Sequence, residues 1–177
     1  MTEQERPGPA GTPPASRPDL PASYGVPPTA EGMLPWSHAV ERIRAARNYW
    51  VSTTRPDGRP HAVPVWGVWV DETFFHGGGP DTRKARNLAV NPAVSVHLES
   101  GDEVVIVEGT VDRITADHPD QDLLRRIDDA YEAKYGMRHG TPVWALRPRV
   151  AFAWRLEGFP TTMTRWTFAP RATGEVP

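Results

Sequence analysis

Short hydrophobic runs, several of them alternating with polar residues, dominate the middle of the chain and predict β-strands. They lie at residues 49–54, 61–70, 73–76, 94–98, 104–110 (prolonged by 111–114), 149–156 and 162–168. Turn residues separate the runs, and Pro56, Asp57 and Gly58 between the first two favour a hairpin turn. Short antiparallel strands joined in this way favour a small closed or partly closed barrel over a doubly wound sheet.

Three segments have the apolar spacing of amphipathic helices and flank these strands. They cover residues 35–48, 82–89 and 117–135. Ser37 is the expected N-cap of the first helix and Asn48 its expected left-handed end, whereas Asp117 and Gly136 are the expected ends of the third. The fold class expected is therefore mainly β with flanking helices.

The two ends of the chain differ from the middle in composition. Eight prolines and few apolar side chains occupy residues 1–30, too little apolar surface to offset the entropy of ordering, so this part is expected to be a disordered tail. Residues 31–170 are then expected to form a single domain, and residues 171–177 a flexible C-terminus.

Charge and composition limit the class of function. A net charge of −2 and an isoelectric point near 6.3 give no reason to expect a nucleic-acid or membrane partner. The chain has no cysteine, no apolar run of membrane-spanning length and no signal peptide, which indicates the cytoplasm. Its six histidines lack the spacing of metal ligands, and no pattern of a catalytic nucleophile is present. Neither a metal site nor a catalytic side chain is expected.

The segment 77–88 has the composition of an anion-binding loop. Three consecutive glycines precede Thr82, Arg83, Lys84 and Arg86, so backbone amides, a hydroxyl group and cations lie close together in sequence. The spacing excludes a P-loop, since Lys84 is followed by Ala85, and a Rossmann loop, since its third glycine is missing. The alternative is a surface loop leading into a solvated basic helix.

The second strand, 61–70, carries bulky side chains on both faces, which suggests that one face meets something other than its own core. Pro64 cannot donate to a ladder, so it is expected at an edge or a bulge, where backbone is free for a ligand or a second subunit. An anion loop beside such a strand, without catalytic side chains, suits a protein whose chemistry belongs to a bound phosphorylated cofactor.

Several short motifs occur in a characteristic order. They are an Asp-Gly turn at 57–58, HAVPVW at 61–66, a third strand, TRKARNL at 82–88, Asn-Pro at 91–92 and VEG at 107–109. Over residues 36–154 this order resembles the pyridoxamine 5′-phosphate oxidase-like superfamily of flavin and deazaflavin proteins.

The resemblance implies a split β-barrel of six or more antiparallel strands with Greek-key topology, forming a homodimer with the cofactor at its interface. It implies that Thr82, Arg83 and Lys84 hold the cofactor phosphate, and that the second strand lies along the ring system and its side chain. The cofactor-binding residues expected are His61, Ala62, Val63, Pro64, Val65, Trp66, His76, Thr82, Arg83, Lys84, Arg86 and Asn87.

Two departures from the resemblance bear on the substrate. Pyridoxamine phosphate oxidases have arginine where His61 stands and lysine where Trp66 stands, and the loss of these cations argues against a phosphorylated substrate. Trp66 and Trp69 suggest a planar organic acceptor instead. The chain looks closer to the branch that binds the deazaflavin F420, whose anionic tail the extra cation Arg86 would suit, with FMN as the alternative.

Three functions remain open on the sequence. The first is an oxidoreductase that transfers hydride between F420, or FMN, and a small-molecule acceptor. The second is a non-catalytic carrier of flavin or F420. The third is a haem-binding protein, with His61 or His76 as a candidate axial ligand.

Overall fold

Antiparallel strands form the framework of the fold. The computed structural model describes residues 11–169, in which there are nine strands and three α-helices. The strands are β1 (Ala15–Ser16), β2 (Tyr49–Thr54), β3 (Pro60–Val65), β4 (Gly67–Val70), β5 (Thr73–His76), β6 (Ala93–His97), β7 (Glu103–Ile114), β8 (Val143–Arg155) and β9 (Thr164–Thr167). The helices are α1 (Trp36–Ala45), α2 (Arg83–Val90) and α3 (Gln121–Tyr135).

The strands form one sheet in the order β1-β9-β8-β7-β6-β2-β3, while β5 pairs with β8 and with β4. The centre is the long hairpin of β7 and β8, whose register shifts between Glu108 and Gly109. A Cβ at Gly109 would lie 1.9 Å from the carbonyl oxygen of Arg147, so only glycine allows the two strands to approach so closely there. The prediction of a mainly β split barrel with flanking helices is confirmed. The homodimer stays a prediction.

Two apolar cores stabilise this sheet. One lies inside the barrel, where Tyr49 and Val51 of β2 meet Ile43 of α1 and Ala85 and Leu88 of α2. The other lies under α3, whose buried stripe packs against β4, β5 and the start of β8. The amphipathic helices therefore bury their apolar faces against opposite sides of the strands, as their spacing predicts.

The expected single strand at 61–70 is wrong, because the chain breaks at Trp66 into β3 and β4. The end of α3 takes over the hydrogen bonds at the break. Tyr131 donates its hydroxyl to the carbonyl oxygen of Trp66 at 3.1 Å, and the amide of Gly67 donates to the Tyr135 hydroxyl at 3.0 Å. Side chains about 70 residues away in sequence thus replace ladder partners, which no local pattern reveals.

Helix ends also differ in part from expectation. Ser37 lies inside α1, whose N-cap is Pro35 without a side-chain hydrogen bond, and this helix ends at Ala45, before Asn48. The cap of α3 is Asp120, whose carboxylate accepts from the Leu123 amide at 2.8 Å, and not Asp117, which accepts from the Thr115 hydroxyl. The expected C-terminal glycine of α3 is confirmed, with Gly136 at a φ of 77°.

The prediction of a disordered tail is wrong for residues 11–30. Ser16 pairs with Arg165 of β9, and the guanidinium of Arg17 donates to four carbonyl oxygens. The acceptors, at 2.5–2.8 Å, belong to Thr29, Glu31, Thr161 and Met163. The segment is held by hydrogen bonds to the backbone rather than by apolar burial. Amino-acid composition indicates how much apolar surface a segment can bury, but not which hydrogen bonds it forms. Residues 1–10 and 170–177, including the expected C-terminal tail, lie outside the described residues.

Replacement of Arg17 by alanine is expected to release the N-terminal segment while leaving the barrel folded. The bonds are exposed or partly buried, so we expect a loss of about 1 kcal/mol in the free energy of unfolding. Amide hydrogen exchange should become faster in residues 15–31 alone. Equal acceleration in β7 and β8 would show that Arg17 supports the whole fold.

Within residues 11–169, no helix has both the length and the apolar character needed to span a membrane.

Candidate functional site

The loop at residues 77–82 joins β5 to α2, and two of its glycines lie very close to neighbouring side chains. A Cβ at Gly77 would lie 1.8 Å from Nε2 of His139, because the imidazole ring of His139 packs directly against this residue. Gly78 has a φ of 139°, and a Cβ there would lie 2.8 Å from Nζ of Lys84. The loop therefore packs closely against an imidazole ring at Gly77 and an ammonium group at Gly78, where the positive φ also favours glycine.

Lys84 is the buried cation of the site. Its side chain is turned under the loop, where Nζ donates to the carbonyl oxygen of Gly77 at 2.7 Å and lies 3.0 Å from Nδ1 of His76. Burial lowers the pKa of Lys84 to about 8. Burial, and then the charge of Lys84, lower the pKa of His76 to about 3. His76 is consequently neutral at physiological pH, and its Nδ1 acts as an acceptor for the ammonium group.

The start of α2 presents the rest of the expected anion site. The predicted helix at 82–89 is present as α2, and Thr82 is its N-cap: the Thr82 hydroxyl oxygen accepts from the Ala85 amide at 3.2 Å, and the hydroxyl donates to the Gly79 carbonyl at 2.9 Å. The first intrahelical bond runs from the Arg86 amide to the Thr82 carbonyl, so the amides of Arg83 and Lys84 have no intrahelical acceptor. These amides and the positive end of the helix dipole favour an anion.

The three expected cations do not share one environment. The side chains of Arg83 and Arg86 are exposed, and Arg86 donates through Nη1 to the Asp81 carbonyl at 2.6 Å. Lys84 is only 3% exposed. An anion over the helix start would therefore meet two exposed charges at the surface and one desolvated charge below the loop.

The strand β3 is the least covered strand of the expected site. It lies at the end of the sheet order and pairs only with β2 among the described strands, which confirms the edge position expected for Pro64. His61, Val63 and Val65 are half-buried on one face, and the residues between them are exposed on the other. Trp66 follows the strand, and its ring stacks on Tyr135 with ring centroids 4.6 Å apart and an 8° interplanar angle.

A short polar chain links the anion loop helix to this strand. Asn87 of α2 donates through Nδ2 to the hydroxyl of Thr53 at 3.0 Å, and the Thr53 hydroxyl donates to the carbonyl oxygen of His61 at 3.4 Å. The structure thus brings the two expected halves of the site into contact through β2.

Buried polar atoms without a hydrogen-bond partner test whether a cofactor fits here. Among residues 11–169, three of the expected binding residues each have one such atom: His61 Nδ1, His76 Nε2 and Asn87 Oδ1. Native proteins rarely leave such atoms unpaired, although six more occur on other described residues. Two of the three, on Asn87 and His61, belong to residues that the Thr53 hydroxyl links. The donors, the acceptor and the cations therefore suit a ligand with a polar ring system and a phosphate.

A groove of about 1030 Å³ lies beside these residues but includes none of the twelve that the sequence predicts. Trp36, Trp69 and Phe168 line its apolar part, and Thr53 is the lining residue that also contacts Asn87 and His61. Its volume is that of a small-molecule site.

Sequence analysis did not identify the residues that shape the anion loop from below. His139 follows α3 and is far from Gly77 in sequence, and no spacing pattern connects the two. The glycine run alone was a signal that something approaches the backbone closely. Within the described part of the chain, no group of three or more metal-binding side chains could hold a metal ion.

Comparison with solved structures shows the fold in other proteins. A conserved hypothetical protein from Mycobacterium tuberculosis is 18% identical with a TM-score of 0.62, covering 83% of this chain and 98% of that one. A heme binding protein from Mycobacterium smegmatis is 20% identical with a TM-score of 0.58, covering 80% and 59%. An F420 reductase is 24% identical with a TM-score of 0.47, covering 63% and 94%. No curated protein sequence matches the chain.

A family model described as pyridoxamine 5′-phosphate oxidase matches residues 36–155, which include β2 to β8 and the whole anion loop. The chain belongs to the pyridoxamine 5′-phosphate oxidase family.

Proposed function

We propose that this protein is an oxidoreductase that binds the deazaflavin F420, with FMN as the alternative, and serves hydride transfer to a planar organic acceptor. The family binds flavins, which makes a phosphorylated ring cofactor the first expectation. The observation that carries the proposal is the cationic start of α2, which Asn87 and Thr53 link by hydrogen bonds to His61 on the exposed strand β3. The reactive group belongs to the cofactor, because the site offers no nucleophile of its own.

The phosphate would be held at the start of α2. The exposed side chain of Arg83, the hydroxyl of Thr82 and the free amides of the first turn would contact it, and Lys84 would attract it from below the loop. A phosphate dianion suits this combination of fixed dipoles and full charges. Arg86 adds a second exposed cation, which suits the longer anionic tail of F420 better than FMN.

The ring system would lie along β3. Its exposed edge and half-buried residues His61, Val63 and Val65 offer both main-chain groups and an apolar surface. Asn87 and His61, tied together through Thr53, would fix the ring by hydrogen bonds to its polar edge. When bound, the cofactor supplies the hydride chemistry, and these residues orient it and exclude water.

A second copy of the chain is proposed to cover β3. None of the six residues of this strand is buried in a single chain, although two of them, Val63 and Val65, are apolar and partly covered. A homodimer would remove this surface from water and enclose the cofactor between two copies.

The groove of about 1030 Å³ is the proposed place for the acceptor. Its indole and phenyl rings suit a flat apolar molecule, and Thr53 places it next to the proposed ring position. Positions 61 and 66 carry no cation to bind a substrate phosphate, so pyridoxamine phosphate is not the proposed substrate.

The test is the absorption and fluorescence spectrum of the purified protein titrated separately with F420, FMN and haem. We expect saturable spectral changes with F420, or with FMN, and stoichiometric binding per chain. Binding of none of the three would contradict the cofactor proposal, and binding of haem alone would favour the haem-binding alternative. With reduced F420 bound, turnover of a panel of quinones and enones distinguishes an enzyme from a carrier.

A further inference from the structure

The buried lysine of the site has only neutral partners. Its ammonium group contacts the carbonyl oxygen of Gly77 and Nδ1 of a neutral His76, and none of the ion pairs found among residues 11–169 includes it. A buried charge without a counter-ion is costly. Its two neutral partners accept from two of its three N–H groups and do not balance its charge.

We propose that His76 is a positioning residue that holds the Lys84 ammonium group beneath the glycine loop, where it serves as the fixed counter-charge of a phosphate bound above the loop. This inference rests on the proposed function. It assigns to His76 a role through Lys84 rather than through direct contact with a cofactor ring.

The geometry explains why the lysine side chain turns inwards. A lysine in the first turn of a helix ordinarily extends into water, as the neighbouring Arg83 does. Here the missing Cβ of Gly78 leaves space for Nζ, and the acceptor Nδ1 of His76 lies 3.0 Å away at the end of that space. Without that acceptor the ammonium group would keep only the Gly77 carbonyl as a hydrogen-bond partner. Hydration outside the loop would then be more favourable than burial.

The charged and titratable groups around Lys84 come from three elements. His76 is on β5, while Tyr131 of α3 and His139 after α3 lie on the Gly77 side of the loop. Asp81, Arg83 and Arg86 are exposed on its own loop and helix. The buried part of this set contains no carboxylate, so a bound phosphate would supply the missing negative charge.

The proposal makes phosphate affinity depend on the protonation of Lys84. Burial lowers the pKa of Lys84 to about 8, and a bound anion raises it again. By linkage, affinity for a phosphate should be full below pH 8 and fall up to about tenfold per pH unit above it. The neutral state of His76 does not change in this range, because its pKa is about 3.

The first experiment needs no cofactor. The chain has only two lysines, Lys84 and Lys134, so protein labelled with ¹⁵N-lysine gives two Nζ signals, which the Lys134→Arg variant assigns. We expect the pKa of Lys84 to rise towards that of an exposed lysine in His76→Leu, because loss of the acceptor releases the ammonium group into water, and to stay near the wild-type value in His76→Asn, whose Oδ1 replaces Nδ1. An unchanged Lys84 titration in His76→Leu would overturn the positioning role. A fall in His76→Leu would show that the ammonium group stays under the loop without His76, and would also overturn the positioning role.

The second experiment compares ligands with and without the phosphate. The pairs are FMN with riboflavin, and F420 with its phosphate-free deazaflavin, titrated at pH 7.5. His76→Leu should weaken the phosphorylated ligand about tenfold and leave the phosphate-free one unchanged, with His76→Asn within about threefold of wild type. Equal weakening of both members of a pair would show that His76 contacts the ring, and would overturn the inference. If neither pair binds wild-type protein, the proposed function fails, whereas the lysine titration still decides the positioning role.

Discussion

Replacement of both Arg83 and Lys84 by alanine is expected to weaken binding of the phosphorylated cofactor by about 3–6 kcal/mol. Arg83 offers a charge-assisted contact to an anion at the start of α2 and Lys84 a desolvated counter-charge below the loop, each worth about 1.5–3 kcal/mol. Lys84 should account for the larger share, since its ammonium group is buried and fixed, while Arg83 is exposed and screened by water. The resulting change of at least a hundredfold in the dissociation constant is measurable by fluorescence titration.

The control is a second double variant, Arg44→Ala with Arg125→Ala. It removes two exposed arginines outside the site and lowers the net charge by the same two units, from −2 to −4. Its affinity for the cofactor should match that of wild type, and thermal unfolding should show both double variants folded. Unchanged affinity in the Arg83 and Lys84 variant would refute the phosphate site and favour the alternative that these side chains are solvated surface residues. Equal losses in both would point to net charge alone.

The strands and helices were largely predictable because their signals are local. The runs at 49–54 and 73–76 match β2 and β5 residue for residue, and the turn glycine Gly58 has the positive φ that the Asp-Gly pair predicts. Proline at an edge is equally local, since Pro64 lacks a ladder donor wherever it stands. Such features depend on a few neighbouring residues, so they can be predicted without knowing how the rest of the chain folds.

The break at Trp66 and the order of residues 11–30 were not predictable for the opposite reason. Both depend on side chains that donate to distant backbone carbonyls, Tyr131 to Trp66 in one case and Arg17 to Met163 in the other. Tyrosine and arginine are common on surfaces, so their occurrence in the sequence carries no signal of such a bond. Only the folded chain shows which carbonyl group each one reaches.

The candidate site divides in the same way. Glycines, a hydroxyl group and adjacent cations identify an anion loop in sequence, and the structure adds that Thr82 caps the helix that follows. The burial of Lys84 against His76 depends on β5 passing under the loop, and neither charge nor spacing reports it. Sequence reasoning assigned Arg83 and Lys84 to the phosphate and Arg86 to an anionic tail, whereas the fold shows that Lys84 alone of the three is buried.

Replacement of Lys84 by methionine is expected to stabilise the fold by about 1–3 kcal/mol at pH 7 while weakening cofactor binding. The pKa of Lys84 is lowered from 10.5 to about 8 by burial, and each pKa unit corresponds to about 1.4 kcal/mol spent on keeping the ammonium group charged in the folded state. Methionine fills similar space without a charge. Removal of the ammonium group does not leave the Gly77 carbonyl oxygen without a donor. Nδ1 of His76 lies 3.2 Å from that oxygen and can carry the imidazole proton and donate to it.

The pH dependence separates this effect from better packing. Because the folded pKa lies below the unfolded one, the penalty is present below pH 8 and disappears as the pH rises towards 10.5, where both states are neutral. The advantage of Lys84→Met over wild type, measured by urea unfolding, should therefore shrink above pH 8. Lys134, whose pKa burial also lowers to about 8, is present in both proteins and cancels in the difference.

The control is Arg86→Met, an exposed change on the same helix. Its free energy of unfolding should stay within about 0.5 kcal/mol of the wild-type value at every pH. Destabilisation by Lys84→Met would contradict the prediction. It would show that the hydrogen bonds of the ammonium group contribute more to the free energy of unfolding than its burial costs.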